Sequence, residues 1–568
     1  MLKRYFPVLF FTLLLIALFS VCAFAADGDL QELSVTVDGQ TILPASANGG
    51  TYFLLPSNAD LHAVTLRFGL PEGYALGIGG ADVSDGDAID VAGNAAYDAA
   101  SGVYILPYTT GSAGGEARTG QLYFMKSETV PAMFVTFADS AYGRAWVDAS
   151  PGHSNDSGKK TEVRMTMLGA DSTVIYNGKL ISFKGRGNTT WGSSAKKPYQ
   201  IKLDKKTDLL ASGNSANKNK TWILLANALD KTLFKNAFAF DLSRYLGLTA
   251  TPEYTFVNLY TDGEYRGLYQ LAEKVQINSG RVEIADLEEH NSVTDETAAA
   301  AGVNSLGYEY QYNPTAVCDT EDISGGYLLE LDSAFYRSEN SWFRLSDGNV
   351  VVVKSPEFCT REQMEYISAE FNKAYMAAQS DIYGVQSVTE LFDLDSLAAI
   401  YMVNEYTRNI DYGYSSTWFY LPEEGNATYD HKFYGGPAWD FDTSLGNRTE
   451  SDYFRTPYGL YQAGRTMFRG SVLRSYAKEK AAAVGSLYGT IFSETPAVNG
   501  GLRSLSGYRA LIEPAQKMNF TVWPFDDTPN TFALPTYEEN YNYVRNFLMT
   551  RHGDILPQIA AWETPDLA

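Results

Sequence analysis

Two patterns of apolar and polar positions divide this chain. Up to about residue 150, apolar residues come in short alternating runs, such as Leu33 to Val37, Ala63 to Phe68 and Met133 to Phe137, separated by turn residues. A period of two puts alternate side chains on one face, so these runs predict strands. Residues 26–150 are therefore expected to form a small all-β, Ig-like sandwich domain. Pro151 to Lys160 reads as a linker by composition.

From residue 161 to about 560 the pattern mixes strands with long amphipathic helices, which predicts an α+β catalytic domain. Val163 to Met167 reads as a strand, and Val174 to Phe183 as a hairpin turning at Asn177-Gly178. A helix is expected from Asp230 to about Leu246, stopped by Gly247. A hairpin at Asp262-Gly263 follows, then a polar stretch from Leu287 to Thr320 that reads as an insertion. Gly325 to Asp332 reads as a buried strand. Arg361 to Gln379, Leu394 to Arg408, Tyr476 to Phe492, Gly507 to Asn519 and Tyr537 to Arg551 read as helices.

Composition narrows the class. The 568 residues are too many for one core, and 14% aromatic content excludes a disordered chain. A net charge of −23 argues against general nucleic-acid or anionic-membrane binding and suits divalent cations. Lys3 and Arg4 precede an apolar run ending in Ala23-Phe24-Ala25, so residues 1–25 read as a secretory signal peptide, with an uncleaved anchor as the alternative. No second run is long enough to span a bilayer. The expected location is extracytoplasmic, either secreted or at a cell or spore surface. Cys318 and Cys359 either pair or remain buried thiols.

Two stretches carry candidate chemistry. The first is the Gly-rich loop Lys184-Gly185-Arg186-Gly187, followed by the strand Tyr199-Gln200-Ile201-Lys202. Backbone amides of such a loop approach phosphate oxygens, and a lysine on the next strand reaches them too. The alternative is a hairpin whose glycines serve only its turn. Glu273 is a candidate partner for such a lysine, or a member of a surface ion pair. The second stretch joins Asn404 to Asp411 and Trp439-Asp440-Phe441-Asp442 through a hairpin connection at Pro422 to Asp430. Three carboxylates brought together there suit Mg²⁺ or Mn²⁺. The plain alternative is turn and capping aspartates.

Together these segments resemble the CotH kinase family. The resemblance rests on Lys184 to Trp191, Lys197 to Leu203, Trp222 to Asn227, Asp230 to Asn236, Gly263 to Tyr269, Ala272 to Lys274, Gly325 to Asp332, Asn404-Glu405, Asn409 to Asp411 and Gly436 to Asp442, in that order. It implies an atypical protein-kinase-like fold that binds ATP with Mg²⁺ or Mn²⁺ and phosphorylates Ser of a secreted or surface protein, or itself. Asp411 would then be the catalytic aspartate. Asp440 and Asp442 would hold metal, joined by Ser416. Lys202, Arg186, Gly185, Gly187 and Glu273 would serve the phosphates, and Trp439 would stack on the base. The chain departs from the kinase pattern at Ser416, which stands five residues after Asp411 where kinases carry a metal-holding Asn. No helix glutamate is placed to pair Lys202. The competing class is a non-catalytic surface, spore-coat or scaffold protein with a degenerate kinase-like core. The β domain would either contact cell-wall glycan, protein or the cell surface, or serve as a passive spacer. A glycosidase is disfavoured, because Asp440 and Asp442 lie too close along the chain to straddle a sugar.

Overall fold

A computed structural model describes residues 30–446, 470–526 and 532–563. The stretch that reads as a signal peptide, residues 1–25, lies outside the described residues. The chain is a mixed α/β protein in which strands outnumber helices.

The first region holds two sheets around one core. Gln31–Val37, Gln40–Ile42, Val64–Gly69 and Ala88–Ile89 make a four-stranded sheet. Gly50–Leu55, Val103–Ser112 and Arg118–Lys126 are the main strands of a seven-stranded one. Val35, Val37 and Leu66 from the first meet Phe53, Leu106, Leu122 and Phe124 from the second. The alternation read along the chain is what sorts these residues inward.

This region ends earlier than residue 150. Strand Ala132–Phe137 pairs with Val163–Leu168 and Tyr254–Thr261, closing a seven-stranded barrel with Val174–Gly185, Tyr199–Thr207, Asn219–Leu225 and Glu264–Glu273. Both faces of that strand are buried. Met133, Val135 and Phe137 fill the barrel, while Ala132 and Phe134 belong to the core of the two sheets. One strand thus serves two cores. In Pro151 to Lys160, Asp156 and Ser157 are buried, and Asp156 accepts hydrogen bonds from the Ser182 hydroxyl at 2.7 Å and the Phe183 amide at 3.0 Å.

The expected turn at Asn177-Gly178 is absent. Val174–Gly185 is one continuous strand, and the chain reverses instead between Leu168 and Val174. Gly178 is needed for close packing, since a Cβ there would lie 2.6 Å from the Tyr176 hydroxyl. Asp262-Gly263 does form its hairpin, with φ of 47° and 84°.

The third unit is a seven-stranded sheet in the order Ala300–Val303, Glu309–Tyr312, Trp342–Arg344, Val350–Ser355, Tyr327–Leu331, Thr417–Leu421 and Tyr434–Gly435. The stretch read as an insertion supplies its edge. Helices Arg361–Ser380 and Leu394–Thr407 share one large core with this sheet and with helix Lys235–Tyr245. Helices Ser471–Gly485 and Tyr537–Ala560 pack on Leu394–Thr407. Helix Leu505–Val522 lies against the barrel strand Glu264–Glu273 and strand Arg118–Lys126. No helix among the described residues is long and apolar enough to cross a membrane. Cys318 and Cys359 are unpaired, and Cys359 is buried.

Candidate active site

Helix Leu394–Thr407 delivers the first acidic segment. It ends on Arg408 in the left-handed region, and the next residues turn back across its end. Asn409 donates to the Asn404 side chain at 3.0 Å and to the Asp440 carbonyl at 3.2 Å. Its own side-chain oxygen accepts from the Asp411 amide at 3.2 Å. Asn409 therefore ties the Asp411 segment to the Asp440 segment. Glu405, one turn earlier, is fully buried against Arg551 of helix Tyr537–Ala560 at 2.5 Å and accepts from the Tyr401 hydroxyl at 3.2 Å.

The hairpin Thr417–Leu421 to Tyr434–Gly435 returns the chain to this point. Asp440 sits at φ 66°, and the following amide, Phe441 N–H, donates to the Asn236 side chain at 2.7 Å. The Ser416 hydroxyl donates to Asp440 at 3.1 Å, and the Thr443 hydroxyl donates to Asp411 at 3.0 Å. Thr190, in the short helix Thr189–Ser193 after the Gly-rich loop, donates to Asp442 at 3.4 Å. Burial pushes the Asp442 carboxyl well above its usual range, and the negative charges of Asp440, Asp411 and Asp230 add to this. Asp440 and Asp411 are thus near enough for their charges to act on Asp442.

Arg186 of the Gly-rich loop lies within electrostatic reach of these carboxylates. Its guanidinium lies 5.3 Å from the centre of the Trp439 ring and within the fields of Asp440, Glu330 and Asp442. Trp439 is 8% exposed and stacks on Phe240 at 5.7 Å. It is therefore a buried support for Arg186 and not an open platform for a base. Gly185 is small because Trp191 lies against it, 2.2 Å from where a Cβ would stand. Gly187 takes φ 77°, which the loop's turn requires.

Lys202 stands on the outer face of the barrel. Ile201 and Leu203 point into the barrel, so Lys202 between them faces outward and is exposed. Glu273 turns inward with its strand neighbours and faces Arg281 at 3.5 Å, with burial raising its carboxyl above the usual range. Asp241, on the helix that offers no glutamate, is taken by Arg244 at 2.5 Å and by the hydroxyls of Tyr508 and Tyr254 at 2.6 and 2.9 Å.

The surroundings of these aspartates also hold residues that sequence reasoning did not place there. Glu330, on strand Tyr327–Leu331, faces Lys354 at 3.8 Å, and Lys354 also bonds Glu339 at 3.0 Å. Burial pushes Glu330 up to about 8, with Asp332, Glu339 and Asp440 adding to the shift and Lys354 opposing it. A carboxylate inside the apolar run Tyr327 to Leu331 was the available signal. Lys235, buried at the start of its helix, lies in the fields of Asp230 and Asp442. Its signal was a charge set between Phe234 and Asn236 in an apolar helix.

Among the described residues, no three His, Cys, Asp or Glu side chains are gathered tightly enough to hold a metal ion by themselves. Asp440 and Asp442 with the Ser416 hydroxyl are nevertheless hard oxygen donors. An ion of the Mg²⁺ kind typically takes one or two carboxylates and completes its shell with phosphates and water. The donor set fits that use.

A comparison with curated proteins gave no match. The sequence profile described as CotH kinase protein matches residues 181–554. The match covers the barrel strands from the Gly-rich loop onward, both acidic segments and Arg551, about two thirds of the whole length. The chain belongs to the CotH kinase family.

Proposed function

We propose that this protein is an exported, kinase-like enzyme that transfers the γ-phosphoryl group of ATP to serine of a secreted or surface protein, or to itself. The observation that supports this best is the bond from Thr190, in the short helix after the Gly-rich loop, to Asp442, with Arg186 of the loop in the field of Asp440 and Asp442. Phosphoryl transfer is mainly positioning and charge stabilisation, which this assembly can supply.

In this reading Asp440, Asp442 and Ser416 would hold Mg²⁺ or Mn²⁺, which when bound neutralises phosphate charge. Arg186 faces the phosphate oxygens and is braced by Trp439. Asp411, held by Thr443 and the Asn409 link, orients the acceptor hydroxyl. It takes the hydroxyl proton as the serine oxygen bonds to phosphorus and the bond to the ADP oxygen breaks. The protein's field keeps nucleic acid away, and the N-terminal two-sheet region is proposed to contact cell-wall glycan or protein. The test is incorporation of labelled phosphate with Mn²⁺ or Mg²⁺. Asp411→Asn and Asp440→Asn should each reduce it by about 10²-fold or more. Full incorporation by both variants would refute the assignment.

The exposure of Lys202 favours a second reading, a scaffold that keeps the core without catalysis. Thermal stabilisation separates the two. Nucleotide at 100 times its Kd adds about 2.7 kcal/mol to a binding protein and nothing to a non-binding scaffold.

A further inference from the structure

We propose that Thr443 is the residue on which this protein phosphorylates itself, within its own active site. The inference rests on the kinase reading and names the acceptor for transfer to itself.

Transfer to a hydroxyl needs a base within hydrogen-bond reach of the hydroxyl proton. Four Ser or Thr hydroxyls among the described residues donate to carboxylates here. Thr190 donates to Asp442 at 3.4 Å, Ser415 to Asp332 at 3.1 Å and Ser416 to Asp440 at 3.1 Å. Of the four, Thr443 is the one that donates to Asp411, at 3.0 Å. Asp440 and Asp442 are the carboxylates assigned to metal, so a hydroxyl resting on either is not offered to the base. The Thr443 hydroxyl stands where the hydroxyl of an outside serine would have to stand.

The segment carrying Thr443 is held on both sides. The Phe441 amide donates to the Asn236 side chain at 2.7 Å, and the Leu445 amide donates to the Thr407 carbonyl at 2.8 Å. Thr407 is the last residue of the helix that leads to Asp411. Acceptor and base are therefore braced against the same helix end, and the β-branched Thr443 side chain has few rotamers to lose. The place is not sealed from solvent: Thr443, Asp411, Asp440 and Ser416 are all half-buried. A γ-phosphoryl group held beside Asp440 and Asp442 would lie next to this hydroxyl, one residue on from Asp442.

In the transfer, Thr443 Oγ1 bonds to the γ-phosphorus, its proton passes to Asp411, and the bond from phosphorus to the ADP oxygen breaks. It occurs once per chain, because phosphothreonine has no hydroxyl left to donate.

The test incubates the full chain with labelled ATP and Mn²⁺, adds dephosphorylated casein as an outside acceptor, and maps the phosphate by peptide mass spectrometry. Thr443 should carry phosphate. The fraction labelled per minute should stay constant on dilution of the protein, because acceptor and base belong to one chain. A folded Thr443→Ser variant should carry phosphoserine at the same position, and Asp411→Asn should slow labelling of Thr443 by about 10²-fold or more. Transfer to casein, or to other positions of the chain, with Thr443 unmodified overturns the inference and leaves the kinase reading standing. Labelling of Thr443 that slows on dilution overturns it too. Phosphate on neither protein removes the kinase reading, and the inference falls with it.

Discussion

At the scale of single residues, direction decides role. Lys202 and Ile201 are neighbours, yet one faces solvent and the other the barrel core. The alternation Tyr199, Ile201, Leu203 already carried that information, because a strand cannot turn two successive side chains to the same face. Glu330 shows the opposite case, a carboxyl held inside apolar surroundings. Its folded value of about 8 lies above the ordinary 4.5. The folded state therefore binds the extra proton, and the associated stability is present below about pH 4.5 and is lost as pH rises towards 8. Glu330→Gln should remove that decline. The difference in melting temperature between the variant and the wild-type protein should grow steadily from pH 5 to pH 8, read by thermal unfolding in matched buffers. A difference that stays flat across that range would mean the carboxyl is better solvated than its position implies.

At the scale of elements, the site is built by pieces that lean on one another. The Gly-rich loop depends on Trp191 lying over Gly185. Gly185→Ala should displace the indole, costing about 1–3 kcal/mol in stability and loosening Thr190 from Asp442, measured by denaturant unfolding. The helix before Asp411 depends on Arg551. Replacing Arg551 with Met would strand a buried Glu405 and should cost about 3–5 kcal/mol, while the double replacement with Glu405→Leu should recover much of it. Which elements exist was largely legible: the helices at 361, 394 and 537, the hairpin at Asp262-Gly263 and the acidic segments stand where period and turn residues placed them. What could not be read was partnership. Asn177-Gly178 carries a turn signal, but pairing with Thr166 and Met165 keeps it extended. Likewise nothing local to Lys235 announces Asp442, two hundred residues away and joined to it only by the fold.

At the scale of the molecule, the N-terminal region is not a detachable module. The Tyr260 hydroxyl of the barrel donates to the Leu54 carbonyl at 2.8 Å, and Phe134, Tyr260, Tyr265 and Met518 are counted in the core of the two sheets. A chain trimmed to begin at residue 129 should therefore expose a continuous aromatic face, and it should aggregate or melt well below the full-length protein in light scattering and calorimetry. A trimmed protein that stays monomeric with an unchanged melting point would show that the two sheets merely rest on the barrel. Within the stretch Pro151 to Lys160 that reads as a linker, Asp156 is held by strand Val174–Gly185, while most of its other residues face water.

The clamp between Glu405 and Arg551 has a consequence for the protein's history as well as its stability. Its two halves are 146 positions apart. While the ribosome is still producing the intervening stretch, Glu405 has no cation to meet, and the ground beneath Asp411 cannot set. The end of the helix that leads into Asp411 therefore takes its final form only after Arg551 has been made and has folded back onto it.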